Sequence, residues 1–275
     1  MPQRAQAILT GLTGSPCKHD GMTSRLPRVK ACLNGGRSTA EHPAVPITPA
    51  GLAAEAAAAV KAGAEAVHIH PRGSDTAESV LPADVGAAVA AVRRACPGIA
   101  IGVSTAMWIT GDRAVRHAAV ARWRDLPAAS RPDFASVNLS EPGAAVLLDA
   151  LNAAGIDAEA GVWSAADARA VSQISPARGW LRILVEIIGA AAADAIAEAD
   201  RIMRQLDTSG VSAPWLLHGE GQTCWPLIRH AGRLGLATRV GLEDTLAGPD
   251  GDPVSGNAEL VSLALAAWTD AAALR

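Results

Sequence analysis

The segment EAVHIHPRG, residues 65–73, places His68 and His70 one residue apart at the end of an apolar run. Far along the chain RVGLEDT, residues 239–245, brings Arg239, Glu243 and Asp244 together. Two imidazoles, one carboxylate and an open position are a usual donor set for catalytic zinc or a similar divalent ion. Residues i and i+2 of a strand share a side, so an extended backbone at 65–70 aims both rings the same way. Read as a strand, 238–244 sets Arg239 and Glu243 four residues apart, both able to face one interior, and Asp244 opens the loop beyond. A buried arginine needs a carboxylate partner, and Asp244 is the nearest in sequence. Such a pair can keep a carboxylate charged as a general base. Each half also has a plain structural meaning: an HxH pair packed in a strand, and an ion pair closing the fold. Chemistry requires that the rest of the chain bring the two halves to one point.

The elements that could do so alternate from residue 29 onward. Short apolar runs occupy 29–34, 65–70, 99–105, 133–138, 157–162, 181–186, 214–219 and 238–244. Alanine-rich stretches with helical character follow at 48–63, 82–96, 112–123, 142–155, 164–174, 191–206, 224–235 and 256–268. Several of these start after Pro, Ser or Asp and stop at Gly, as helix capping prefers. Continuous apolar strands covered by helices imply a parallel sheet. Eight units of this length predict an α/β fold, a closed (β/α)8 TIM barrel, with 29–275 as a single catalytic domain. An open doubly wound sheet is the rival arrangement, and the third and fifth helices carry the weakest patterns. Residues 1–28 have no sustained periodicity and no long apolar stretch of the secretory kind, and read as a loose N-terminal extension.

In a barrel the active site gathers at the C-terminal ends of the strands. Those ends offer Asn34, then His68 and His70, Ser104 with Thr105, Asn138, Glu159, Glu186, His218 with Glu220, and Glu243 with Asp244. The eighth strand closes beside the first, so strands 2 and 8 stand two steps of about 4.8 Å apart. A carboxylate at Glu243 or Asp244 then reaches both imidazoles. Glu159 and Glu186 either line the pocket or pair with barrel arginines such as Arg182, and His218 or Glu220 could meet a substrate. Trp108 and Trp163 belong near the pocket mouth and Cys224 at a helix start, while His42, His117 and His230 have no converging partner. A net charge of −3 and the lack of a ~20-residue apolar span predict no nucleic-acid or membrane partner. Four scattered cysteines without a CxxC pair fit isolated thiols in a reducing, cytoplasmic setting.

Taken together, LNGGRS, HPAVPITPAGLAAEA, AGAEAVHIHPR, GVSTA, DFASVNLSEPG, RVGLEDT and GNAELV resemble the β-keto acid cleavage enzymes, a family typified by 3-keto-5-aminohexanoate cleavage enzyme. The resemblance runs from about residue 29 to about 265. It implies a metal-dependent barrel, commonly tetrameric, that condenses a β-keto acid with acetyl-CoA to give acetoacetate and a new acyl-CoA. Carried over by position, His68, His70 and Glu243 are the zinc ligands, and Arg239 and Asp244 the base pair that removes the proton next to the keto group. Ser104 stands near the reacting carbonyl, Ser136 replaces a threonine, and Asn138 lines the pocket; Asn34, Thr105 and Glu159 join them as strand-end groups facing substrate. Zinc so held can act as a Lewis acid on the keto acid. No Rossmann or P-loop fingerprint is present, so the acetyl-CoA co-substrate follows from the resemblance alone. One departure stands out: Arg37 occupies the place of a glutamate that the family associates with the amino group of aminohexanoate. A positive charge there disfavours a cationic substrate tail and favours an anionic one, unless Arg37 merely pairs within its loop. Amidohydrolase-type metal hydrolases also use HxH at a barrel strand end and are the alternative enzyme class. They carry the pair on the first strand and add histidines on the fifth and sixth, where this chain has Glu159 and Glu186. A barrel that only binds ligand is the non-enzymatic reading.

Overall fold

The computed structural model describes residues 28–174 and 179–274. Apart from Arg28, the expected extension over 1–28 lies outside the described residues. Strands and helices alternate as β1 (Val29–Cys32), α1 (Pro49–Lys61), β2 (Ala66–Ile69), α2 (Pro82–Ala95), β3 (Ala100–Ser104), α3 (Arg113–Ala121), β4 (Phe134–Asn138) and α4 (Ala144–Ala154). The second half runs β5 (Asp157–Val162), α5 (Ala165–Ala170), β6 (Arg182–Ile187), α6 (Ala195–Asp207), β7 (Trp215–Gly219), α7 (Cys224–Leu234), β8 (Thr238–Val240) and α8 (Asn257–Ala272). Local chemistry sets several boundaries. Thr48 caps α1 by accepting from Gly51 N at 3.0 Å, with Pro49 as its first residue. Asp112 accepts from Ala114 N and Val115 N at the head of α3. Gly155 and Gly235 stop α4 and α7 in the left-handed conformation.

All strands are parallel, in the order β7-β6-β5-β4-β3-β2-β1-β8. The ring closes where Leu217 N on β7 donates to Ala237 O (2.9 Å) and Thr238 Oγ1 donates to Leu217 O (2.8 Å). The fold is therefore a (β/α)8 TIM barrel, and the open sheet is excluded. Period-2 alternation divides each strand between two environments. Val29, Ala31, Val67, Ile69, Ile101, Val103, Ala135, Val137, Ala158 and Ala160 face the helices and form the main apolar core. The intervening residues point into the barrel, where Leu184, Leu216 and Ala237 make a small separate cluster.

Lys30, Phe134, Glu159 and Arg182 fill another part of that interior. Glu159 accepts from Lys30 Nζ at 2.7 Å and lies 2.8 Å from Arg182 Nε, while both cations stand over the Phe134 ring at 5.6 and 5.4 Å. Room for that ring comes from Gly102, whose added Cβ would fall 1.9 Å from it.

Two expectations need correction. The eighth strand ends at Val240, not Asp244, because Gly241 passes so close to β1 that a Cβ would sit 1.8 Å from Cys32 O. The chain then turns, with Asp244 N and Thr245 N both donating to Gly241 O. The fifth helix covers only Ala165–Ala170 of the expected 164–174. Among the described residues no helix is long and apolar enough to cross a membrane.

Candidate metal centre and active site

A cavity of about 380 Å³ opens at the C-terminal end of the barrel, and His68, His70, Glu243 and Arg239 share its wall. The two histidines point inward from the end of β2, as their i, i+2 spacing requires. Glu243 arrives from the turn after β8. One ligand atom from each of the three residues lies within 4.8 Å of the others. His68 Nε2 and His70 Nε2 are 3.1 Å apart, and Glu243 Oε2 is 4.0 and 3.5 Å from them. Ligand atoms about 2 Å from one ion in a tetrahedron stand about 3.3 Å apart, so the set needs only small adjustment to hold a cation.

The groups behind these donors fix which atoms face the centre. His70 Nδ1 lies 2.5 Å from Glu78 Oε1, which commits the Nδ1 proton to Glu78 and makes Nε2 the nitrogen turned toward His68 and Glu243. Glu243 Oε1 accepts from Arg239 Nη2 at 3.0 Å, whereas its buried Oε2 has no hydrogen-bond partner. Burial opposes the charge on Glu243, but Arg239 and the two imidazoles outweigh it and hold the carboxyl well below its usual range. Burial keeps His68 neutral, its pKa well below the ordinary histidine value. Against the same effect, Glu243 and Glu78 together lift His70 to about 9. An anionic oxygen and two ring nitrogens converge here around the His70 proton, and a divalent cation would take that proton's place, with the cavity side open to substrate.

Arg239 links this centre to a second carboxylate. Its Nε and Nη2 donate to Asp244 Oδ1 at 3.1 and 2.7 Å, while Asp244 Oδ2 is buried without a partner. Burial pushes Asp244 up to about 6 against the pull of Arg239. Asp244 is fully buried beside the cavity rather than on its wall. Glu220 is on the wall, 3.8 Å from Arg239 Nη2, and burial raises its carboxyl above the ordinary value.

Ser104, Ser136, Asn138, Arg37, Trp108 and Trp163 also line the cavity. Arg37 is held at its post by Glu41 Oε1 (3.1 Å) and Glu243 O (3.3 Å). Glu186 belongs to the wall as well, backed by His218 Nε2 at 3.2 Å, and His218 is itself sealed from the cavity. Three residues expected to face substrate stand elsewhere. Asn34 is buried behind the wall and bonds the backbones of His70 and Pro46. Thr105 turns its hydroxyl to Ser136 O at 2.6 Å. Glu159 is consumed by Lys30 and Arg182 nearer the N-terminal end of the barrel. Position along a strand explains the last case: Glu159 lies two residues before Gly161, and its neighbours at that depth are cations. Glu78 escaped the sequence reading, since it sits in an irregular loop and only its contact with His70 marks it.

A family model described as beta-keto acid cleavage enzyme matches residues 28–272. The 3-keto-5-aminohexanoate cleavage enzyme of Fusobacterium nucleatum is 37% identical over 78 residues, 28% of this chain and 29% of that protein. ObcA solved with oxaloacetate superposes with a TM-score of 0.64 at 20% identity, over 82% of this chain and 63% of that one. The 3-dehydroquinate dehydratase of Geobacillus kaustophilus gives 0.58 at 12% identity, over 89% and 93%. At these identities the two solved structures show the fold. The chain spans less than two thirds of ObcA and under a third of the Fusobacterium enzyme.

Proposed function

The chain belongs to the beta-keto acid cleavage enzyme family, and on that premise we propose that it exchanges acyl groups between a β-keto acid and acetyl-CoA, giving acetoacetate and a new acyl-CoA. The observation that carries this reading is the convergence of His68, His70 and Glu243 Oε2 at one wall of the cavity, with the Arg239–Asp244 pair directly behind. These three donors would hold zinc or a similar divalent ion. When bound, such an ion supplies Lewis acidity to the keto group, making the neighbouring C–H bond more acidic.

The residues of the chain divide the remaining work. Asp244, oriented by Arg239, takes the proton between the keto and carboxylate groups. The resulting carbanion attacks the acetyl carbonyl, and the thiolate of CoA leaves. That thiolate then attacks the original keto carbon, and the bond between this carbon and the former carbanion centre breaks. Acyl-CoA departs, and the proton returns from the base to give acetoacetate. Ser104, Ser136 and Asn138 supply hydroxyl and amide groups that orient the keto acid along the wall. The low pKa of Glu243 and the neutral His68 leave two of the three ligands ready for a cation near neutral pH, and His70 would release its Nε2 proton on binding.

One observation favours a second reading of the base. Glu220 is on the cavity wall with a raised pKa, whereas Asp244 is enclosed. In this version Glu220 exchanges the proton with substrate and Asp244 only fixes Arg239. Asp244→Asn and Glu220→Gln separate the two, since the true base variant loses kcat by about 10²–10⁴-fold.

Arg37 supports a substrate other than 3-keto-5-aminohexanoate, with a keto-diacid as the favoured class, because its guanidinium opposes a cationic tail at the wall. Assembly as a cytoplasmic homotetramer is part of the same proposal, resting on the family resemblance. The test is zinc content of the purified protein together with CoA-dependent turnover of neutral, cationic and dicarboxylic β-keto acids, each against a His68→Ala control. Acyl-CoA formation lost in the control supports the function, and preference for the dicarboxylic acid supports the role of Arg37. Bound zinc without CoA chemistry would reject the acyl exchange and return the amidohydrolase-type reading.

A further inference from the structure

Strand β1 lies between the two elements that carry the three donors, β2 on one side and β8 on the other, yet none of its residues lines the cavity. Its end is tied instead to the backbone around every donor. Leu33 N donates to His68 O at 3.0 Å, and Glu243 N donates to Cys32 O at 3.2 Å. Two buried asparagines add the remaining ties. Asn34 Oδ1 accepts from His70 N (2.9 Å), and its Nδ2 donates to His70 O (2.8 Å) and Pro46 O (3.1 Å). Asn257, the first residue of α8, accepts from Leu242 N (2.9 Å) and donates to Leu33 O (3.1 Å) and Glu55 Oε2 (2.9 Å).

We propose that Asn34 and Asn257 are positioning residues that set the spacing of the His68, His70 and Glu243 donors, by holding the backbones of His70 and Leu242 against the end of β1. The inference rests on the reading of those three residues as metal ligands. The need for such ties follows from where the sheet stops. The ladder ends at Ile69 on β2 and at Val240 on β8, so His70 and Glu243 lie just past the last regular rungs. A metal site tolerates errors of only about 0.2 Å in its ligand distances. A side-chain amide carries two N–H donors and a carbonyl acceptor on separate atoms of one short stem, which a single hydroxyl oxygen or an ionised carboxylate cannot match. Asn34 thereby pairs with both polar groups of the His70 backbone, as a neighbouring strand would. Asn257 does the equivalent for the β8 turn, and Glu55 on α1 fixes its orientation. This also gives LNGG and GNAELV, two motifs without a catalytic side chain of their own, a role in the site.

The test measures zinc affinity of the full chain by competition with a chromophoric chelator, with the thermal midpoint recorded in parallel. Asn34→Ala and Asn257→Ala are expected to raise the zinc dissociation constant about 10–100-fold, the range typical of groups that orient metal ligands. They should also change the visible spectrum of the Co²⁺-loaded protein. Leu151→Ala, a buried leucine of α4, serves as the control: it lowers the midpoint and leaves affinity and spectrum unchanged. Asn34→Ser and Asn257→Ser carry the same expectation as the alanine variants and keep a polar group in the buried space should those fail to fold. Wild-type affinity and an unchanged cobalt spectrum in the asparagine variants, with only the midpoint lowered, would overturn the positioning role and leave the ligands in place. Failure of the wild type to bind zinc, or equal affinity in His68→Ala, would overturn the ligand reading itself.

Discussion

Two groups of charged side chains occupy the barrel interior, and they use their partners in opposite ways. Nearer the N-terminal ends of the strands, Lys30 and Arg182 converge on the single carboxylate of Glu159 with Phe134 beneath both, sealed from solvent. Cations there meet an anion, and their attraction is spent inside the fold. At the C-terminal ends, two imidazole nitrogens and Glu243 Oε2 converge on one another, beside an open cavity. The imidazoles and the carboxylate there gather around the His70 proton, which a bound cation would replace. A buried glutamate thus closes an ion cluster at one depth and, in the proposed function, is a metal ligand at the other. The difference is whether the partner is built into the chain or left for a ligand to bring.

Mutations in the two groups should therefore separate stability from activity. The largest effect is expected from His70→Ala, which removes a donor: bound metal should be lost and turnover should fall about 10³-fold or more, with little change in the thermal midpoint. Elemental analysis, kinetics and thermal unfolding check the three parts. Glu159→Ala should do the reverse, costing about 3–5 kcal/mol in denaturant unfolding because two buried cations lose their counter-charge. Its zinc affinity should match the wild type; a large drop in affinity with normal stability would erase the contrast. A smaller effect is expected from Glu78→Gln. It weakens the hold on His70 Nδ1 and should reduce zinc affinity about 10–100-fold in a chelator titration. The smallest is a pH effect. Burial pushes Asp244 up to about 6, so under its proposed role as the base kcat/KM should fall as pH drops through that value. With that pKa the loss is about tenfold at pH 5. A cation at the adjacent Glu243 can only move this limb to lower pH, since it favours the ionised carboxylate. The limb should vanish in Asp244→Asn; a limb that survives there and disappears in Glu220→Gln identifies Glu220 as the base.

Much of the barrel is legible in the sequence because its signals are local. Thr48, Asp112, Gly155 and Gly235 mark helix ends through contacts within a few residues. The alternation of β1 and β2 separates Val29, Ala31 and Val67 from Lys30 and His68 without knowledge of any partner. Likewise, the i, i+2 spacing is enough to put His68 and His70 on one side. Contacts between distant segments are less visible. Nothing near Gly241 says that the eighth strand stops there; the reason is the backbone of Cys32, some two hundred residues earlier. Glu159 and Glu186 both take inward strand positions, but Glu159 lies mid-strand level with Arg182 while Glu186 lies near the end of β6; the register of β5 on β6 sends the first to Lys30 and Arg182 and the second to the cavity.

The sequence alone determined the repeating β/α units, the inward aim of the two histidines and the family to which their motifs point. All of these rest on spacing along one segment or on several such segments in order. The tertiary structure decided which carboxylates meet those histidines, that Asn34 serves the His70 backbone instead of a substrate, and that Glu78 stands behind the site. Those outcomes depend on the register between β8, β1 and β2 and on loop paths beyond the last rung, where a shift of one residue replaces every neighbour.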